Sequence, residues 1–323
     1  MKKILLFFAA YTVSAIIIMP AIITFSSVRS PSENSYQTPY SKKEPKTFGV
    51  INGEIEEFIL SPDMDEYIKG VVAVEMPPSF EEEALKAQAV AARTYALYNL
   101  RSAGGDIAYS DIGQAYASKD ELKEKWGLSF NSYYKKVSDA VEKTSGEILI
   151  YNKEPILAVF HSASDGVTES SENVWEESLP YLVSVDSFQD ELSSNFIQEK
   201  VFDENDLIWT LQNGIEGLTL ADADFISQCQ IIEKTEAGYV KSVQIGNKII
   251  SGKNMREILG LRSSSFGIRQ DGQNVIFTTK GYGHGAGMSQ YGANFMALSG
   301  AGYKEILTHY YTGASIGNIK DIN

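Results

Sequence analysis

Cysteine and histidine are nearly missing from this sequence, which has the single thiol Cys229 and the three imidazoles His161, His284 and His309. One thiol cannot form an intramolecular disulfide or a thiolate metal cluster, which leaves core packing as its role. The histidines show no H-x-x-x-H spacing, so a sequence-local zinc motif is absent and no cofactor is expected. Basic residues are also scarce: 28 Lys and Arg stand against 42 Asp and Glu, a formal net charge of −14. That deficit argues against nucleic-acid binding, where a basic face supplies most of the affinity. No composition bias marks a fibrous or low-complexity chain, and 43% hydrophobic with 22% charged residues is an ordinary globular balance.

Long hydrophobic runs are absent except at the N-terminus. Residues 4–25 carry no charge, and these 22 residues reach about 33 Å at about 1.5 Å each, enough to span a bilayer. Lys2 and Lys3 precede the run and orient the N-terminus to the cytoplasm. A cleaved signal peptide is the alternative, but its apolar core is usually about 7–15 residues and ends at a small-x-small site, which is missing here. The expectation is one uncleaved transmembrane anchor over 1–27, with everything after Val28 outside the cytoplasmic membrane. Residues 28–47, polar and containing Pro31, Pro39 and Pro45, read as a tether. A folded domain is expected over 48–316, with a tail at 317–323.

Within the domain, Asn52-Gly53 between β-prone flanks signals a hairpin. Residues 65–74 predict a short helix that Pro77-Pro78 must end. Ser79 followed by Glu82 has capping-box spacing, and the Ala-rich run behind it predicts a helix of about twenty residues. A second helical region is expected over 119–143, two strands turning at Asn152-Lys153 over 146–160, and a last strand over 274–279 feeding a glycine-rich loop and a C-terminal helix. The pattern is α+β: mixed helices and short strands in a two-lobed domain flanking a substrate cleft.

Glu75 follows Val71-Val72-Ala73-Val74 at the end of the first predicted helix. Apolar surroundings and the negative end of the helix dipole both raise a carboxyl pKa, which suits a general acid. A solvated helix-end glutamate is the plain alternative. On the next helix Leu85, Gln88, Ala92 and Tyr95 share a face, either core or one wall of a groove. Arg93 lies off that stripe, as a structural ion pair or as a contact for a substrate carboxylate. His161 and Ser162 sit where a strand meets a polar turn, a position suited to a cleft. The densest signal is GYGHGAGMSQYG at 281–292, where alternating glycines permit positive φ and close approach of a ligand to the backbone. His284, Gly285, Met288, Ser289 and Gln290 are the candidates there, three of them with donors for sugar hydroxyl and N-acetyl groups. Gly281, Gly283 and Ala286 fit G-x-G-x-x-A, but the chain remaining is too short for a dinucleotide fold. Ser162 and Ser289, the serines beside these histidines, stand in no G-x-S-x-G elbow, which argues against a serine hydrolase.

Taken together, VEMPPSFEEEALKAQAVAARTYAL, FHSASDGVTES, VWEESLPYLVSVDS and GYGHGAGMSQYGA resemble the sporulation stage II protein D and amidase-enhancer family, in order and spacing. The resemblance spans about residues 48–313. It implies a lytic transglycosylase that cuts the bond between N-acetylmuramic acid and N-acetylglucosamine in peptidoglycan and leaves a 1,6-anhydro end, with Glu75 as catalytic residue. It implies strands already stripped of stem peptides as substrate, a membrane-anchored place in the septal space, and the stage II proteins M and P as partners during engulfment. Some members carry a zinc-binding cysteine and histidine cluster after the long helix. This chain has neither residue over 106–116, so the zinc is not carried over. Asp165-Gly166 stands where a glycine pair is expected. A glycan-binding scaffold that stimulates a partner amidase is the competing function.

Overall fold

The computed structural model describes residues 62–103, 112–194 and 196–322. The expected anchor, tether and Asn52-Gly53 hairpin lie outside the described residues. Among the described residues no helix is long and apolar enough to cross a membrane.

Two hydrophobic cores organise an α+β fold. The first is built on α1 (Pro62–Glu75) and α2 (Glu82–Ser102), with α3 (Lys119–Trp126) and α4 (Phe130–Lys143) against them. Helix α2 is all but enclosed, because its alanines, Ala84, Ala87, Ala89, Ala91, Ala92 and Ala96, let neighbouring elements approach closely on several sides. Its start differs from the expected capping box: the N-cap is Glu81 and makes no side-chain cap. Pro77 to Phe80 form a turn closed by Phe80 N–H donating to Pro77 O at 3.0 Å, which uses Ser79 before the helix begins. Asn294 Oδ1 accepts the Glu81 N–H at 2.7 Å instead. A true capping box forms at α3 between Ser118 and Glu121. The helical region 119–143 is split at Gly127, whose φ of 50° ends α3.

Strands β1 (Glu147–Tyr151) and β2 (Glu154–Pro155) pair antiparallel around Asn152-Lys153, both residues at positive φ, the turn that suits strand twist. The other edge of β1 pairs with β11 (Ser315–Asn318), and Ile319 and Ile322 are buried in the first core. The folded part therefore runs past 316, where a tail was expected, because those apolar residues complete the core. Helices α8 (Gln290–Leu298) and α9 (Tyr303–Tyr310) pack on α2, so the C-terminal helix is in fact a pair.

Between these contributions the chain forms the second core. It holds the antiparallel sheets β4 (Ile197–Asp203), β9 (Asn274–Lys280), β8 (Phe266–Asp271) and β5 (Cys229–Lys234), β6 (Val240–Ile245), β7 (Lys248–Ser251), with helices α6 (Glu204–Gly214) and α7 (Gly252–Leu259). Its buried residues all fall between Leu207 and Phe277, whereas those of the first core come from 64–182 and 288–322. The first core is thus discontinuous in sequence and the second is inserted into it. The segments joining them, β3 (Phe160–His161) and β10 (Met288–Ser289), pair in parallel and bring the histidine turn beside the glycine loop.

Candidate functional site

Glu75 is the last residue of α1, held where Met76 plunges into the core and Pro77-Pro78 turn the chain away. Its carboxyl is half-buried, and Oε1 accepts the Ala115 N–H at 3.2 Å. The loop carrying Ala115 is fastened by Gln114, which accepts from Tyr67 Oη at 3.1 Å and donates to Ala92 O at 3.2 Å. Burial raises the Glu75 pKa above the ordinary 4.5, outweighing the opposing hydrogen bonds from Ala115 and Gln290. The shift therefore comes from desolvation and not from a second carboxylate.

Gln290 begins α8 and is almost fully buried; besides Glu75 it reaches Gln88 Oε1 with its Nε2 at 3.4 Å. Gln88 Nε2 is buried with no partner. Two amide donors, from Ala115 and Gln290, thus meet one carboxyl of raised pKa, and Gln88 stands behind Gln290. Leu85 and Ala92, on the same face of α2, are core residues, and Tyr95 is half-buried at the edge of that core.

Gln290 is positioned from below by Ser289, the N-cap of α8, whose Oγ accepts the Gly292 N–H at 3.1 Å and donates to Asp190 Oδ1 at 2.8 Å. The other oxygen of Asp190 accepts from Ser164 N at 2.7 Å and Ser164 Oγ at 2.6 Å. One buried carboxylate therefore clamps the histidine turn to the glycine loop. Burial raises its pKa against these hydrogen bonds. Sequence reading missed Asp190, because SFQDEL shows no pattern that separates a clamping acid from a surface one.

His161 and His284 lie with ring centroids 5.7 Å apart. His161 Nδ1 donates to the Ala286 carbonyl at 3.1 Å, so the buried Nε2 is a lone-pair acceptor without a partner. His284 has the opposite tautomer, its Nδ1 accepting from Ala286 N at 3.1 Å. Burial, then charge repulsion, depresses both pKa values, to about 3 for His161 and about 4 for His284. Both rings are neutral at any physiological pH.

Several expected site residues are structural. Arg93 is fully buried: Nη2 pairs with Asp65 Oδ1 at 3.1 Å, and Nη1 donates to the carbonyls of Thr144 at 2.7 Å and Glu147 at 3.1 Å. It closes the C-terminus of α4 and is not a substrate contact. Met288 and Ser289 have no exposed surface. The glycines serve chain packing, not ligand approach. A Cβ on Gly281 would lie 2.6 Å from Ala163 O, one on Gly283 2.7 Å from His161 Cβ, and one on Gly285 2.5 Å from Tyr239 Oη. Gly285 is therefore a buried spacer. Ser162 is half-buried and uses its carbonyl to accept the Tyr291 N–H at 3.0 Å. Asp165 replaces the expected glycine with a fastener to the second lobe, pairing with Ser265 Oγ at 2.6 Å and Lys280 Nζ at 3.4 Å. Among the described residues no group of His, Cys, Asp and Glu is arranged to hold a metal.

Fold and site define a class of protein: a two-core α+β domain presenting a half-buried carboxyl of raised pKa beside amide donors. Residues 55–151 match the family model described as Stage II sporulation protein. Over 260 residues the chain is 40% identical to Stage II sporulation protein D of Bacillus subtilis (strain 168), a match covering 78% of this chain and 74% of that protein. Its counterpart in Bacillus amyloliquefaciens is 41% identical over the same shares. The Amidase enhancer of Bacillus subtilis (strain 168) is 30% identical over 296 residues, 77% of this chain but 40% of that longer protein. The chain belongs to the stage II sporulation protein D family.

Proposed function

We propose that the protein is a lytic transglycosylase acting on peptidoglycan glycan strands in septal wall remodelling during sporulation. The observation that supports it most is Glu75, a half-buried carboxyl whose proton is stabilised by desolvation and whose oxygens face amide donors. A lytic cut needs only one such group. Glu75 gives its proton to the glycosidic oxygen as the bond from C1 of N-acetylmuramic acid breaks. The C6 hydroxyl of the same sugar then closes on C1 and returns its proton to the Glu75 carboxylate, so no water is consumed and a 1,6-anhydro end forms. The paired carboxylates of glycoside hydrolysis are not required. Gln290 donates to the Glu75 carboxyl and holds it in place, and the buried Gln88 backs Gln290. In this reading the domain stands outside the membrane on a single N-terminal anchor, with the stage II proteins M and P as partners.

The Amidase enhancer similarity supports a second reading, a scaffold that binds glycan and cuts nothing. Full-length protein incubated with amidase-stripped glycan strands decides between them. Release of anhydro-muramyl products, faster than from peptide-bearing strands, is expected; binding without product would establish the scaffold.

A further inference from the structure

Glycine inside a helix is unfavourable relative to alanine, so Gly70 in the middle of α1 calls for a cause. Its neighbours supply one. A Cβ at Gly70 would run into the Tyr116 ring and lie 2.5 Å from Ala117 O, so only glycine lets residues 114–117 rest directly on the helix. Gln114 holds the same segment by its amide: Oε1 accepts from Tyr67 Oη of α1 at 3.1 Å, and Nε2 donates to Ala92 O of α2 at 3.2 Å. Tyr116 stacks on Tyr67 with ring centroids 5.5 Å apart at 19°, and Ile112 and Ala117 are buried at either end. Two helices thus fix one short segment.

Ala115, in the centre of that segment, is exposed, so its side chain adds no packing. What it adds is its N–H, donated to Glu75 Oε1 at 3.2 Å. A donor on a carboxylate favours the ionised form and limits rotation of the group. At Glu75 this works against burial. Burial raises the pKa, the bonds from Ala115 and Gln290 lower it, and no charged side chain among the described residues enters that balance. Tyr116 adds no charge, because burial, then Glu121 and Glu66, push its pKa up. At 3.2 Å the bond is at the long end of the normal range, so a small displacement of the segment breaks it.

We propose that Gly70 and Gln114 are positioning residues for Glu75: one by leaving space on α1, the other by its two hydrogen bonds, they seat residues 114–117 so that the Ala115 N–H reaches the Glu75 carboxyl. The use of that carboxyl in bond cleavage rests on the lytic reading above, in which the N–H steadies the carboxylate left once the glycosidic oxygen has taken the proton. The seating itself does not. The test follows Glu75 directly, by 13C NMR of full-length protein with labelled glutamate carboxyls, titrated with pH and assigned with Glu75→Gln. Gln114→Ala removes both fastening bonds. Gly70→Ala pushes the segment off α1 while favouring the helix itself. Tyr67→Phe removes one bond and keeps the ring stack. Losing a donor destabilises the carboxylate, so Glu75 should titrate about one pH unit higher in the first two variants, the size expected for one hydrogen bond to a charged group, and less in the third. A merely structural role would lower the melting temperature and leave the titration in place. An unmoved or lowered Glu75 pKa overturns the proposal, and Tyr67→Phe, the mildest change, carries the test even if the others unfold the chain. Cleavage is scored separately: in the lytic reading the high-pH limb of kcat moves up with the titration while KM stays. A moved pKa without anhydro products from the wild-type chain removes the lytic reading and keeps the positioning, and products with an unmoved pKa do the reverse.

Discussion

The behaviour of Glu75 follows from its solvation. Its pKa is raised above 4.5 by burial, so the folded protein holds this proton more tightly than the unfolded chain does. The stability it contributes is full below pH 4.5 and is lost as pH rises through the folded pKa, above which a charge sits half-buried. Glu75→Gln removes that cost. The variant should melt at a higher temperature than wild type at pH 7, with the difference narrowing towards pH 4; a difference constant across this range would mean that burial does not set the shift. The same variant should lose at least the 10²–10⁴-fold that a general acid typically contributes to cleavage. Arg93 is the contrasting case. Arg93→Ala leaves Asp65 Oδ1 and the carbonyls of Thr144 and Glu147 without this donor and should cost about 3–5 kcal/mol in denaturant unfolding. Glycan affinity per folded molecule should stay the same, and lost affinity at unchanged stability would restore Arg93 as a substrate contact.

Among the elements, the joined β3 turn and β10 loop determine whether Gln290 reaches Glu75. Asp190 holds that junction, so Asp190→Ala should strand three donors at about 1–3 kcal/mol each and lower kcat more than KM. Asp190→Asn, which keeps an acceptor for Ser164, should recover much of the loss. Equal effects of the two substitutions would show that the clamp does not act through these bonds. Elements with local causes were legible in the sequence: α1 ending at Glu75, the alanine-rich α2, the turn at Asn152-Lys153, and β9. Long-range arrangements were not. The Ser79 box failed because Asn294, far along the chain, already serves the helix start. Arg93 looked available because nothing local reveals the carbonyls of Thr144 and Glu147 around it. The alternating glycines were visible as a signal, but whether they face a ligand or another strand depends on β3, more than a hundred residues earlier. Glu75, Gln88 and Gln290 were each singled out from the sequence, and only the fold brings them together.

For the whole molecule, the charge-free run at 4–25 after Lys2 and Lys3 carries a topology prediction. Protease added to spheroplasts should digest the domain and leave a short membrane fragment; a soluble product starting near Val28 would show a cleaved signal instead. The interrupted first core has a kinetic consequence. The inserted lobe is contiguous, so it has its whole set of apolar residues as soon as Phe277 is available. The first lobe must wait for β11, which pairs with β1, and for Ile319 and Ile322, which complete its core. Contacts of such sequence separation are paid for in loop entropy before they return any stability, which slows folding. The helices that carry Glu75 and Gln88 accordingly remain an open, unfinished surface until β11 and the isoleucines after it have been delivered. A nascent or C-terminally truncated chain would hold a completed inner lobe and an exposed alanine-rich helix, and the surroundings of Glu75 are complete only once the two ends of the domain have met.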